Sequence, residues 1–596
     1  MRLRKTILMA AAAAILAGAP ALASGPRFEF ARAAESVRGN SPFESYESSA
    51  SAWMWTDKVA YRPGEQLKLW WTVRKLDDNN PYTVVAFRIN NQTGARTFVS
   101  TQGASSEPKD IFGNSLGNFA VVRMPDGAGQ RLIGPGSLFG EAAGTIPEEY
   151  GMHTLVVQFR DYTGSRVVKS LYAKIGVYRE ERQLAGIQTT SQTWTNDILW
   201  KLSGTVIFRD STLTIEPGTI VMGLPGSNPA SALLITRSAK IRAIGTQSRP
   251  IIMTSSLPVG QRKAGDWGGL ALLGRAIVNW PTGVGALEGL ASGEDTAYGG
   301  QDDDHDCGTL RYVRVEYAGA EFQPNEELNA ITWGGCGKQT RSEFLQVRYG
   351  LDDNFEWFGG SNDGKYLVSL YAQDDHIDWQ IGWRGRLQHV LAVAGDDGSN
   401  RGIEADNNER GFDLEPRSNP RVWNMTIVGT EKATRDEGSS VAGIWLRRGT
   451  GGRINNTIVT NYYQNGLEVR DGATTTAIAN NELQIDGLML WNNGRNADKE
   501  NTIDGQSNNL AQPWLRGETG IARRVFIQNP MLRRPLAYSD PDHRPAFASP
   551  ALQPIWAMPP DDGFFDQWAG WLGAFGNVEW TEEWCDFIQE EDIIID

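Results

Sequence analysis

Phe344-Leu345-Gln346-Val347-Arg348-Tyr349, Tyr366-Leu367-Val368-Ser369-Leu370-Tyr371 and Gln388-His389-Val390-Leu391-Ala392-Val393 start at 22-residue intervals. Each is strand-length, and one such unit cannot bury its own apolar face. Neighbouring units must therefore stack, with parallel strands about 4.8 Å apart. Upstream, the same short apolar strands recur at Thr205-Val206-Ile207-Phe208, Leu213-Thr214-Ile215, Thr219-Ile220-Val221, Leu233-Leu234-Ile235 and Lys240-Ile241-Arg242-Ala243. Pro217-Gly218 and Gly245-Thr246 supply turns between them, and no helix-length pattern intervenes. The solenoid reading starts near residue 195.

Working outward, Val59 to Glu65 reads as a strand running into a Pro-Gly turn, after which Leu67, Leu69, Trp71 and Val73 alternate with other positions. Tyr150–Phe159 followed by 166–177 reads as a closing hairpin, so a sandwich is expected over 46–180. Residues 190–535 are assigned to the solenoid, and 536–596 to a segment covering its last coil. At the other end, Arg2, Arg4 and Lys5, the apolar stretch Ile7–Ala19 and Ala21-Leu22-Ala23 form a signal-peptide pattern over 1–23, leaving a flexible linker at 24–45. No segment is long and apolar enough to be a membrane span. The expected address is outside the cytoplasm: extracellular, on the cell surface, or in the periplasm of a Gram-negative bacterium.

Pro217-Gly218-Thr219, Gly265-Asp266-Trp267-Gly268-Gly269, Asp352-Asp353-Asn354-Phe355-Glu356-Trp357-Phe358-Gly359-Gly360 and Leu572-Gly573-Ala574-Phe575-Gly576 resemble a family of secreted bacterial β-helix proteins. The resemblance covers about residues 195–585. It implies an all-β chain, an N-terminal sandwich followed by a right-handed parallel β-helix. The wider pectate-lyase-like superfamily of this shape includes pectate lyases, polygalacturonases and tailspike-like adhesins, and the resemblance transfers no catalytic residue. Thr56–Glu65 is similar to the opening strand of macroglobulin-type and other immunoglobulin-like domains.

The 22-residue register also aligns acids. Asp352-Asp353, Asp374-Asp375 and Asp396-Asp397 fall in step. Glu356 and Asp378 follow the first two pairs by four residues, with Glu404 third after an apparent four-residue insertion. Carboxylates stacked at this spacing repel by about 3.5 kcal/mol per pair at an effective dielectric near 20, so a neutralising group is required. Calcium, protons, or arginines such as Arg348, Arg384, Arg386, Arg401 and Arg410 are the candidates. Calcium suits a many-oxygen, turn-rich site, with Asp352, Asp353, Asp374, Asp375, Asp396, Asp397 and Glu404 as expected ligands. The plain alternative is that these aspartates cap turns.

A lyase or glycoside hydrolase would draw on Asp353, Asp375, Glu356 and Asp378, with His376 shuttling protons and Arg384 as the base. Trp357, Trp379 and Trp383 crowd the same coils and are expected to stack on sugar rings, with core packing as their alternative role. Asp302-Asp303-Asp304-His305-Asp306 reads as a solvated or calcium-binding loop.

Removing the three basic leader residues takes the formal charge from -14 to about -17, which argues against nucleic acid. A polysaccharide or cell-surface glycan is the expected partner, with an outer-membrane protein as a further candidate. Cys307 and Cys336 lie one long coil apart and are expected to pair, leaving Cys585 free. The reading is a secreted, calcium-associated glycan-binding protein, acting on acidic polysaccharide if catalytic. The alternative is a noncatalytic structural or adhesion protein.

Overall fold

A computed structural model describes residues 51–74, 83–98, 120–123, 130–134, 137–160, 167–227, 229–323, 326–395, 401–430, 442–494 and 510–593. The leader and linker assignments lie outside these residues.

Two sheets share one core at the N-terminal end. The first runs Ser51–Thr56, Gln66–Arg74, Ser137–Thr145, Gln130–Gly134; the second runs Ala60–Tyr61, Val167–Val177, Gly151–Arg160, Thr83–Asn90, Arg96–Phe98. Alternation sends Met54, Leu67, Leu69 and Trp71 from one sheet against Leu155, Val157, Phe159 and Ile175 from the other.

Among the described residues, twenty-three parallel-paired strands, from Glu180–Gln188 to Ile521–Ile527, then wind into a parallel β-helix. Inward side chains form continuous stacks, as in Trp333–Trp357 at 4.7 Å and Trp357–Trp383 at 4.8 Å between ring centroids. These separations equal the coil rise, so each indole lies on the one below. A two-turn helix at Gly472–Ala479 departs from the expected unbroken strand pattern.

The aromatic ends of the founding motif mark corners. Phe344 and Tyr349 have positive φ (54° and 57°), as do Tyr366 and Tyr371 (58° and 56°). Their rings meet outside the coil, Phe344–Tyr366 stacked at 4.5 Å and Tyr349–Tyr371 tilted at 5.1 Å, which offsets the cost of left-handed backbone in non-glycine residues. Leu345 pairs with Leu367, a 22-residue step, but Leu367 pairs with Val390, a 23-residue step. Tyr366 accordingly stacks on His389 at 4.7 Å, and the equal interval read between Tyr366 and Gln388 is corrected by one residue.

Cys307 and Cys336 are disulfide-bonded and Cys585 is free. The C-terminal segment extends well beyond the last coil, running back along the outside of the solenoid. Asn456 holds Ala557, Gln388 holds Asp566, and Gln346 holds Asp586, each through the strap's backbone N–H and C=O. Its end reaches the first N-terminal sheet, where Trp53 Nε1 donates to the Asp592 carbonyl.

Candidate functional site: a buried acid column

The strands Phe355–Phe358 and Ile377–Gln380 carry the sequence F-E-W-F above I-D-W-Q. Period-2 alternation turns Phe355, Trp357, Ile377 and Trp379 inward and leaves Glu356 and Asp378 on the outer face. Register pairs Glu356 with Asp378 and Asp378 with Glu404, so the four-residue insertion lies where the sequence places it. Asp375 pairs with Arg401. Arg401 is therefore a neighbour of Asp375 on the next coil; the expected ligands Asp396 and Asp397 lie outside the described residues.

Carboxylate oxygens of Asp353, Glu356 and Asp378 lie within 4.8 Å of one another, and so do those of Asp352, Asp353 and Asp374. Neighbours satisfy part of this set. Asn329 and Gln380 donate to Glu356, the latter at 2.9 Å, and Asp353 Oδ1 accepts the Asp375 backbone N–H at 3.0 Å. Among the described residues, Oδ1 of Asp378 and Oδ1 of Asp375 have no hydrogen-bond partner, although the two residues are only 6% and 2% exposed. Burial, reinforced by Glu356, Asp406 and Asp375, pushes Asp378 well above the ordinary carboxylate range. Burial likewise raises Asp353, with Asp352 and Asp375 adding to it. Asp352 is pushed up to about 8, first by burial and then by Asp374 and by Glu327 and Glu288. Glu288 and Glu327 come from the chain between residues 274 and 330; nothing in the coil repeat pointed to them.

One coil further, arginine enters. Arg401 Nη1 lies 2.9 Å from Glu404, 3.4 Å from Asp375 and 3.6 Å from Asp374. Arg447 pairs with Glu404 and, at 2.8 Å, with Asp406, which Arg448 also meets at 2.8 Å. The Arg401 and Arg447 guanidiniums both lie against the Trp445 ring, 4.0 and 4.1 Å from its centroid. Sequence reasoning named Arg401 and Trp445 but missed Arg447 and Asp406.

Three roles expected from the sequence are corrected. Trp357, Trp379 and Trp383 are 0–1% exposed inside the coil and present no ring to a saccharide. His376 is buried there too, with Nδ1 2.7 Å from Ser369 Oγ; burial lowers its pKa to about 3, so it is neutral and cut off from solvent proton exchange. Arg384 forks onto Asp303 at 2.8 and 2.9 Å, which also removes Asp303 from a free acidic loop. Its base role has no geometric basis, because Asp303 rather than the acid column holds its guanidinium.

The column can hold a cation or share protons. The orphaned Asp378 oxygen, facing two further carboxylates, fits a hard cation with oxygen ligands, for which Asp353, Glu356 and Asp378 would be the protein donors. A sugar meets closed packing here: Asp353, Glu356 and Asp378 are 4–6% exposed, while the Asp374 side chain reaches solvent at 39%.

No curated protein matches the chain. Among solved structures, the sporulation control protein Spo0M from Bacillus subtilis is 12% identical over 22% of this chain and 49% of its own length, about half of that protein, with a TM-score of 0.13, too low to bear on the fold. The sequence profile of the pectate-lyase-like β-helix domain matches residues 186–519, the span of the observed coils. That match covers more than half of the chain, which therefore belongs to the pectate-lyase-like β-helix family.

Proposed function

We propose that the protein is an exported, calcium-associated polysaccharide-binding protein whose β-helix serves as a rigid scaffold. The observation that carries the reading is a buried carboxylate oxygen of Asp378 that has no hydrogen-bond partner among the described residues, on a side chain grouped with those of Asp353 and Glu356. Buried polar atoms without partners are rare, and a divalent cation is the ligand that three such grouped acids select. Calcium here ties adjacent coils together.

Binding is favoured over hydrolysis. A glycosidase needs two carboxyls in reach of the scissile bond, and a lyase needs a base beside a cation-bound uronate. Asp353, Glu356, Asp375 and Asp378 do gather, but beneath closed packing, and Arg401 is engaged by Asp374, Asp375 and Glu404. A surface or adhesion role, with a glycan or an outer-membrane protein as partner, is consistent with a scaffold of this kind. The test is a glycan array read with and without calcium, followed by product analysis on every hit. Binding without new reducing or unsaturated ends is the expected result; chain cleavage abolished by Asp378→Asn would instead assign catalysis to the column.

A further inference from the structure

The tryptophans of the β-helix are closed to sugars, but three others occupy a different position. Trp53 and Trp55 lie on Ser51–Thr56 and Trp70 on Gln66–Arg74. Trp55 and Trp70 are direct cross-strand partners, and Trp53 stands opposite Thr72, so all three indoles share one face of the first sheet. It is the outer face, since the alternating residues Ala52, Met54, Leu69 and Trp71 fill the sandwich core. The Trp55 and Trp70 rings run nearly parallel, 21° apart in plane with centroids 6.4 Å apart. The three indoles are only 3–5% exposed.

What covers them is the end of the C-terminal strap. Ile588 and Ile593 pack on the three indoles, and the Asp592 carbonyl accepts from Trp53 Nε1 at 3.3 Å. Aliphatic C–H groups on the ring and an oxygen on the indole N–H are the two contacts a pyranose offers a tryptophan. At one edge of this face a cavity of about 60 Å³ remains where the sandwich, β-helix and strap meet, bordered by Trp55, Lys174, Arg348, Ile588 and Ile593.

We propose that Trp53, Trp55 and Trp70 form a saccharide-stacking surface that residues 588–593 cover in cis, so that glycan binding requires displacement of the chain's own C-terminal end. This rests on the polysaccharide-binding reading and locates it on the sandwich, away from the acid column. The occupant is a neutral or acidic hexose polymer, recognised through ring faces and one hydroxyl accepting from Trp53 Nε1.

The test uses the full-length protein, an Ile588→Ser/Ile593→Ser variant, and a chain ending at Gln589, which keeps Asp586 on Arg314 and Arg348. Each is titrated with polygalacturonate and with a neutral β-glucan while tryptophan fluorescence and acrylamide quenching are followed. The expected result is at least tenfold tighter binding of one polymer by the opened forms, greater quencher access, and return to the full-length affinity when Trp55→Ala is added. If the serine variant fails to fold, the shortened chain decides. Equal affinity in full-length and opened proteins overturns the covered surface while leaving polysaccharide binding in place. A gain that survives both Trp53→Ala and Trp55→Ala also overturns it, and binding by no form removes both readings.

Discussion

Glu316 and Asp378 are buried alike on the outside of the same solenoid, at 1% and 6% exposure, yet their carboxyls shift in opposite directions. At Glu316, burial alone would raise the pKa, but Arg314 and Arg348 more than offset it and hold the group well below the usual range. Arg314 Nε donates to it at 3.0 Å, Arg348 Nε lies 3.4 Å away, and Thr254 donates to its other oxygen at 2.9 Å. The strap's Asp586 balances the second positive charge, at 3.0 Å from Arg314 and 3.1 Å from Arg348. At Asp378, Glu356, Asp406 and Asp375 add to the effect of burial, and Arg447 does not offset them. One buried charge cluster is complete within the chain; the other needs something added.

The largest expected effects come from breaking the complete cluster or the core beneath the incomplete one. Glu316→Gln leaves two buried guanidiniums with Asp586 alone, and should cost about 3–5 kcal/mol in a denaturant melt. Trp357→Ala opens a void in the indole stack and should cost about as much, about 3–5 kcal/mol, without changing the calcium response. An unchanged glycan affinity per folded molecule would further separate the inner tryptophans from binding.

The incomplete cluster should respond to calcium. At about 100 times its dissociation constant, calcium stabilises the folded state by about 2.7 kcal/mol, whereas Glu316→Gln should leave that increment intact. The pH dependence follows from the raised pKa values. A carboxyl raised on folding contributes stability that is fully present below its unfolded pKa, near 4, and is lost as pH rises through its folded pKa. With Asp406 pushed up to about 7 and Asp352 to about 8, chelated protein should lose stability between about pH 4 and pH 8. Saturating calcium should flatten that slope in the same melts. The smallest effect is expected at Arg384, whose ion pair with Asp303 is about a quarter exposed on each side; Arg384→Gln should cost no more than about 1 kcal/mol and leave calcium binding unchanged.

The sequence made the acid column legible because a solenoid converts sequence period into spatial contact. Glu356, Asp378 and Glu404 share a column because Phe355, Ile377 and Ile403 precede them in the core, and a four-residue insertion between coils leaves that relation intact. What lies outside the repeat was illegible. Arg384 finds Asp303, 81 residues away, through an irregular loop, and no coil count predicts that contact. The indoles at 357, 379 and 383 were ambiguous because tryptophan serves both core and sugar; only the phase of alternation against Glu356 separates the roles. The strap was read as an end cap since its glycine- and tryptophan-rich sequence has no period, whereas its path is set by Gln346, Gln388 and Asn456, one side-chain amide on each of three coils.

The most direct test of the incomplete cluster is a set of thermal melts of wild type and Asp353→Asn/Asp378→Asn, each in saturating calcium and in chelator at pH 7.5. Removing two crowded carboxylates should make the variant more stable than wild type in chelator, while wild type gains more from calcium, so the order reverses between the two conditions. Parallel responses, with wild type and variant shifted equally by calcium, would contradict a cation at Asp353, Glu356 and Asp378 and leave shared protons as what neutralises the column.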